Sequence, residues 1–175
     1  MIIREATIDD AENIKNVHLQ AFNNSEAQMI SDLAVNLLTE NHSVKTISLV
    51  ATENNIIVAH IAFSPVFLKT TYEHFGYILA PLAVSPRFQK NKIGSSLVKF
   101  GLDIISGLGS FIVFVYGDPQ YYSRFGFKKD LANNFEPPHT LQLPEGWQAI
   151  KLNSAVTPDG GKIICVDSLN DPELW

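Results

Sequence analysis

Four cations, Arg87, Lys90, Lys92 and Lys99, fall between His74 and Leu102, a stretch without a single acidic residue. Such a stretch attracts anions. Within it, Leu82-Ala83-Val84-Ser85-Pro86-Arg87-Phe88-Gln89-Lys90-Asn91-Lys92-Ile93-Gly94-Ser95-Ser96-Leu97 reads as the end of a strand, a loop and the opening of a helix. A helix N-terminus leaves backbone N–H groups unpaired and has partial positive charge, so a strand–loop–helix junction with added cations is a site for phosphate. A solvated basic loop is the plain alternative, and the segment alone admits both.

The elements around this segment follow from periodicity. Ile2 to Glu5 reads as a strand, and a helix start is marked by Thr7 with Asp10, or by Asp9 with Glu12. Ile14, Val17 and Ala21 give that helix a buried stripe. Ser25 with Gln28 repeats the capping signature before Ile30, Leu33, Leu37 and Leu38, so a second helix is expected. From Thr46 to Leu68 the pattern turns to strands, broken at Glu53-Asn54-Asn55 by a hairpin signal. Residues 77–84 read as a strand in which Pro81 cannot donate a ladder hydrogen bond, which implies a bulge or a local departure from pairing. Apolar residues at 97, 98, 104, 105 and 108, with Gly101 on the same face, predict an amphipathic helix over 93–108. Residues 110–116 suit a buried strand, joined by a right-handed crossover. The tail after Phe127 reads as loops with two short strands, near 147–152 and 162–166.

Composition narrows the function classes. A chain of 175 residues favours one compact domain, and 46% hydrophobic against 18% charged residues marks a folded one. The net charge is −5, made of +4 in the acid-free window and −9 elsewhere, which disfavours a nucleic-acid binder. Neither a membrane span nor a leader pattern is evident, so a cytoplasmic location is expected. The single cysteine, Cys165, reads as a structural buried thiol. His18, His42 and His139 show no ligand spacing, so no metal is expected.

At these residues the sequence resembles a known family. The run Pro86-x-x-Gln89-x-x-x-Ile93-Gly94-x-x-Leu97 after the Leu82-Ala83-Val84 strand is similar to the acetyl-coenzyme A signature of the GNAT N-acetyltransferases. Gly117-Asp118-Pro119-Gln120-Tyr121-Tyr122-Ser123-Arg124-Phe125-Gly126-Phe127 looks like their later Y-x-x-x-G-F element. With Ala59-His60-Ile61-Ala62-Phe63-Ser64-Pro65-Val66 it resembles the YhbS-like subgroup of predicted acetyltransferases. The likeness spans residues 1–130 in order of elements. It implies an α/β (α+β) GNAT fold: a mixed central sheet with a bulged strand, a V-shaped splay between the fourth and fifth strands, and helices on both faces. It also implies a GNAT domain over residues 1–147, with 148–175 as a C-terminal extension packing on the same domain. One residue departs from the family pattern, because the first glycine position of the loop holds Lys92. Glycine there permits close approach of backbone to pyrophosphate. Lysine keeps the N–H but adds bulk, and with Lys90 it brings charge that can pair with phosphate.

Carried over residue by residue, the resemblance implies acetyl transfer from acetyl-CoA to a primary amine by direct attack. Backbone groups of Leu82, Ala83 and Val84 would pair with the pantetheine arm, and N–H groups at the bulge would stabilise the developing oxyanion. Gln89, Lys90, Asn91, Lys92, Ile93, Gly94 and Ser95 would hold the pyrophosphate. Tyr122 matches the family tyrosine that protonates the departing thiolate and also contacts the cofactor, with Tyr121 competing for the role. A phenol of pKa about 10 suits a thiolate whose acid is near about 8.5. His60, Glu73 and His74 are candidate bases, and His60 is preferred because Ala62 and Ser64 share its strand face. The expected acceptor is a small-molecule or peptide amine, with no nucleic acid or membrane involved and a monomer or homodimer as the assembly. A non-catalytic acyl-CoA-binding or sensor module on the same fold is the alternative, motivated by Lys92 and by the lack of an obvious base. A serine hydrolase would need a G-x-S-x-G elbow, which the sequence lacks.

Overall fold

An edge strand, β1 (Ile2–Glu5), opens the chain and pairs antiparallel with β2 (Ile47–Glu53), Ile2 opposite Thr52. Asn54 and Asn55 then sit at φ 50° and 64°, the left-handed geometry of a two-residue hairpin, and return the chain into β3 (Ile56–Leu68). The computed structural model describes residues 1–22, 24–153 and 158–175, which form two units: residues 1–63 with 80–101, and residues 64–79 with 102–175. β3 and β4 (His74–Val84) contribute to both.

In the first unit the strand order is β1-β2-β3-β4. Ala51 faces Ala59 while Thr52 faces Ile57, so Val58 is an extra residue on β3, a bulge that puts Ile57 and His60 on one face. The Ala80–Pro81 peptide bond within β4 is cis.

Of the two possible helix starts, Thr7 with Asp10 is the one used. The Asp10 carboxylate accepts the Thr7 N–H at 2.8 Å and a guanidinium fork from Arg4 at 2.7 and 2.8 Å. That fork holds the Asp10 carboxyl at about 2. A short 3-10 turn leads into α1 (Ala11–Ala21), and α2 (Asn24–Thr39) begins one residue ahead of Ser25. Ile14 and Val17 of α1 and Ala34 of α2 bury against Val50, Ile57 and Ala83. On the other strand face, α3 (Ile93–Gly107) closes on β3 through Gly101, where a Cβ would lie 2.1 Å from the Phe63 ring. Helices therefore cover both faces, as the resemblance implied.

The second unit is built on aromatic residues. β5 (Ile112–Tyr116) runs parallel to β4, with Gly76 to Leu79 opposite Ile112 to Val115. After α4 (Pro119–Tyr122) and β6 (Phe135–Glu136), β7 (Trp147–Lys151) pairs antiparallel with β5, and β8 (Gly161–Ile164) joins the end of β3 and runs parallel to β6. Phe114 stacks on Trp147 at 5.1 Å and meets Phe135 edge-on at 5.1 Å, while Trp147 donates its indole N–H to the Phe135 carbonyl at 2.9 Å. β7 and β8 are the two strands expected in the tail, whereas β6 and a bridge between Lys128 and Ala149 are additions. Leu108, expected on the buried stripe of α3, lies past the helix end and is 60% exposed. Residues 154–157 of the expected C-terminal extension lie outside the described residues. Among the described residues no helix is long and apolar enough to cross a membrane.

Candidate functional site

The basic loop keeps the backbone shape of a glycine loop without the glycine. Lys90 and Lys92 both adopt left-handed backbone, at φ 64° and 62°, which costs an L-residue with a long side chain about 1–2 kcal/mol. Both are exposed, as are Gln89 and Asn91, while Ile93 and Gly94 are buried at the start of α3. Gln89 anchors the loop by donating its side-chain amide to the Val84 carbonyl at 3.1 Å. The first helical bond of α3 is Ser96 N–H to the Lys92 carbonyl at 2.9 Å, so helix geometry leaves the N–H groups of Ile93, Gly94 and Ser95 without intrahelical acceptors. No acidic residue lies in that first turn. Preceding the loop, Leu82 and Val84 are half-buried and Ala83 is buried, and the Ser85 N–H donates to the Val58 carbonyl at 2.8 Å.

Tyr122 is placed by its own neighbourhood in sequence. Asp118 caps α4, its carboxylate accepting the Gln120 N–H at 2.8 Å, and Pro119 takes the first helical position. The Asp118 carbonyl accepts the N–H groups of Tyr121 and Tyr122, each at 3.1 Å. The half-buried Tyr122 ring meets Tyr121 and Phe127 edge-on at 5.0 and 5.7 Å and lies against Gly117. Burial, with smaller contributions from Tyr121 and Asp118, pushes its phenol well above the usual value. Tyr121 is engaged otherwise, with the Arg124 guanidinium 4.4 Å over its ring and the Arg124 Nε–H donating to its carbonyl at 3.1 Å.

His60, expected as the base, is fully enclosed. Its Nδ1 is 2.8 Å from His18 Nε2 and its Nε2 is 2.8 Å from Ser48 Oγ, so neither nitrogen is free for an incoming amine. Burial first, and His18 second, hold its pKa well below the usual histidine value. His18 is also fully buried, its pKa lowered to about 4 by burial, and its Nδ1 has no hydrogen-bond partner. His74 is half-buried between the rings of Phe67 and Tyr77, and Glu73 is exposed. Cys165 is buried, and that burial pushes its thiol up to about 12. Among the described residues no group of three His, Cys, Asp or Glu side chains could hold a metal ion.

Two features escape a reading of the sequence. Ser48 and His18, the partners of His60, lie 12 and 42 residues away, and no local pattern links them. Gly117 stands inside the Gly-Asp-Pro run, which was visible, but its contact with the Tyr122 ring was not.

Residues 12–127 match the sequence profile of the acetyltransferase (GNAT) family. The protein named "Uncharacterized N-acetyltransferase YjhQ" of Escherichia coli K12 is 31% identical over 163 residues, which cover 90% of this chain and 88% of that one. The crystal structure of YhbS from Escherichia coli in complex with CoA superposes with a TM-score of 0.83 over 97% of this chain and 92% of that chain, at 25% identity. A GNAT family acetyltransferase from Brucella melitensis in complex with acetyl-CoA gives a TM-score of 0.74 over 95% and 96%, at 27% identity. The profile spans most of the chain and the relative nearly all of it: this chain belongs to the acetyltransferase (GNAT) family.

Proposed function

We propose that the chain transfers the acetyl group of acetyl-CoA to a primary amine by direct attack, with Tyr122 donating a proton to the departing thiolate. The observation with most weight is the seating of Tyr122, whose turn is capped by Asp118 and whose ring is held against Gly117, Tyr121 and Phe127. Burial disfavours the phenolate, so the hydroxyl still holds its proton when the thiolate leaves. The same burial would make a thiolate more basic. A phenol and a thiolate shielded together thus stay matched for proton transfer.

Acetyl-CoA brings an acyl thioester, a carbonyl already joined to a good leaving group. The donor set of the loop fits its phosphates: Lys90, Lys92, the Asn91 amide and the N–H groups of Ile93, Gly94 and Ser95, with no carboxylate from His74 to Leu102. Gln89 braces this set through Val84. Backbone groups of Leu82, Ala83 and Val84 serve the pantetheine arm. The amine's own proton does not pass to His60, which has both nitrogens occupied; Glu73 and His74 are left as its acceptors, directly or through water. Residues 1–147 are assigned to the catalytic domain, 148–175 extend it, and the acceptor is a small-molecule or peptide amine met in the cytoplasm.

Two measurements test the proposal. Calorimetric titration with acetyl-CoA should give heat, and free thiol should then appear with at least one member of an amine panel; absence of heat overturns cofactor binding altogether. Heat without thiol release from any amine supports the second reading, a non-catalytic acyl-CoA-binding module, which the occupied His60 ring favours. Replacing Lys90 and Lys92 together by Ala should weaken acetyl-CoA about tenfold and flatten the salt dependence of binding. Unchanged affinity would put both ammonium groups in solvent.

A further inference from the structure

Gly117 joins the end of β5 to the cap of α4, and its neighbours leave it no freedom. Its N–H donates to the Gly146 carbonyl at 3.0 Å, and its carbonyl accepts the side-chain amide of Gln148 at 3.3 Å. Gln148 is itself buried at the start of β7. On the remaining side stands the Tyr122 ring: a Cβ built on Gly117 would lie 2.6 Å from Tyr122 Cε2 and 3.2 Å from Cδ2. Real Cβ atoms do not approach an aromatic carbon that closely, so either the ring or the backbone must give way. The backbone is fixed from both sides, by Gly146 just ahead of β7 and by Gln148 within it. Tyr122 is held through its backbone by its own N–H bond to the Asp118 carbonyl, and its ring by edge-on ring contacts, so the ring is the part that moves.

We propose that Gly117 is a positioning residue for Tyr122: the absence of a side chain at 117, on a backbone pinned by Gly146 and Gln148, sets where the phenol hydroxyl lies. The inference rests on Tyr122 as the proton donor. Restoring an ordinary carbon–carbon contact from 2.6 Å needs a displacement of roughly 1 Å, and a shift of that size in a reacting group can cost about a hundredfold in rate.

The test is a double-mutant cycle on the full chain, with release of free thiol from acetyl-CoA as the readout and any amine that supports turnover as the acceptor. Gly117→Ala should lower kcat about a hundredfold with the KM for acetyl-CoA unchanged, while in the Tyr122→Phe background the same substitution should cost nothing further. A substitution that merely disturbs the unit would lower the rate in both backgrounds, and that result overturns the proposal. Loss of rate in Tyr122→Phe together with full rate in Gly117→Ala also overturns it, leaving the acid role standing. Unchanged rate in Tyr122→Phe overturns the acid role instead. A second readout needs no turnover: in protein carrying carbon-13-labelled tyrosine, the Tyr122 ring resonance, assigned by its loss in Tyr122→Phe, should shift in Gly117→Ala. If Gly117→Ala does not fold, Gln148→Met removes the amide bonds to the Gly117 and Gly146 carbonyls with nothing added at residue 117, and the same resonance should shift there. An unmoved resonance in the folded variant overturns the proposal.

Discussion

Tyr122 and His60 are both aromatic side chains that hold a proton, yet the molecule treats them in opposite ways. Tyr122 is fixed by a contiguous stretch, with Gly117 under its ring, Asp118 at the head of its helix, Tyr121 beside it and Phe127 five residues on. His60 is assembled from three elements, α1, β2 and β3, and the assembly uses both of its nitrogens. Strand alternation put Ala62 and Ser64 on the His60 face and so favoured His60 as the base, but β3 is buried there on both faces, and that enclosure removes His60 from solution chemistry. A titratable group is available for reaction when its fixation comes through its ring or backbone, and is structural when fixation comes through the titrating atoms themselves.

The sharpest way to break this contrast is substitution at its reactive end. Tyr122→Phe should lower kcat for thiol release by 10²- to 10⁴-fold, roughly the span of general acid catalysis, with stability within about 0.5 kcal/mol of wild type. A variant that loses rate only because it unfolds would place Tyr122 among the structural groups. At the other end, His60→Ala should lower unfolding free energy by roughly 3 kcal/mol, since it leaves a cavity and removes the partner of both Ser48 Oγ and His18 Nε2. Urea titration reads that loss. A stable His60→Ala protein with collapsed turnover would reverse the assignment.

Acid sharpens the same distinction. The His18 pKa falls from 6.5 to about 4 on folding, so between those values the unfolded chain binds protons that the folded one refuses. Stability is therefore full above about pH 7 and falls as pH drops through 6.5 toward 4, by about 3 kcal/mol for His18 alone. His60 shifts in the same direction. Asp10, held at about 2 by Arg4, adds a separate loss below 3.8, so the two origins occupy different windows. Urea midpoints measured from pH 8 to 4 should decline, and a flat curve would show that the pair is already charged or hydrated.

The contrast also explains what the sequence revealed. Features written in contiguous residues were legible: the Asn54-Asn55 hairpin, the Thr7 to Asp10 start and the strand–loop–helix with its lysines. Their energetics involve neighbours within a few positions, where spacing is information. The Ser48, His60 and His18 chain depends on pairing β2 with β3 at a particular register and laying α1 across them, which no window of residues encodes. The bulge at Val58 adds to this, because one extra residue decides which face His60 shares. β6 went unseen for a simpler reason, since two residues are too few to show alternation.

Lys92 offers the smallest effect and the finest test of local determination. The left-handed backbone there costs lysine about 1–2 kcal/mol, while glycine would be free of that strain but would lose roughly 0.5–1 kcal/mol through its larger unfolded-state entropy. The difference favours Lys92→Gly by about 0.5 kcal/mol, a small rise in the urea midpoint. Binding should move the other way, several-fold weaker for acetyl-CoA, because the ammonium is removed while the loop keeps its shape. Opposite signs in the two measurements would mean that lysine is retained at a cost in stability for the charge it places in the loop. If the substitution instead raised both stability and affinity, Lys92 would be a strained surface residue, and the loop's grip would reside in the N–H groups of Ile93, Gly94 and Ser95.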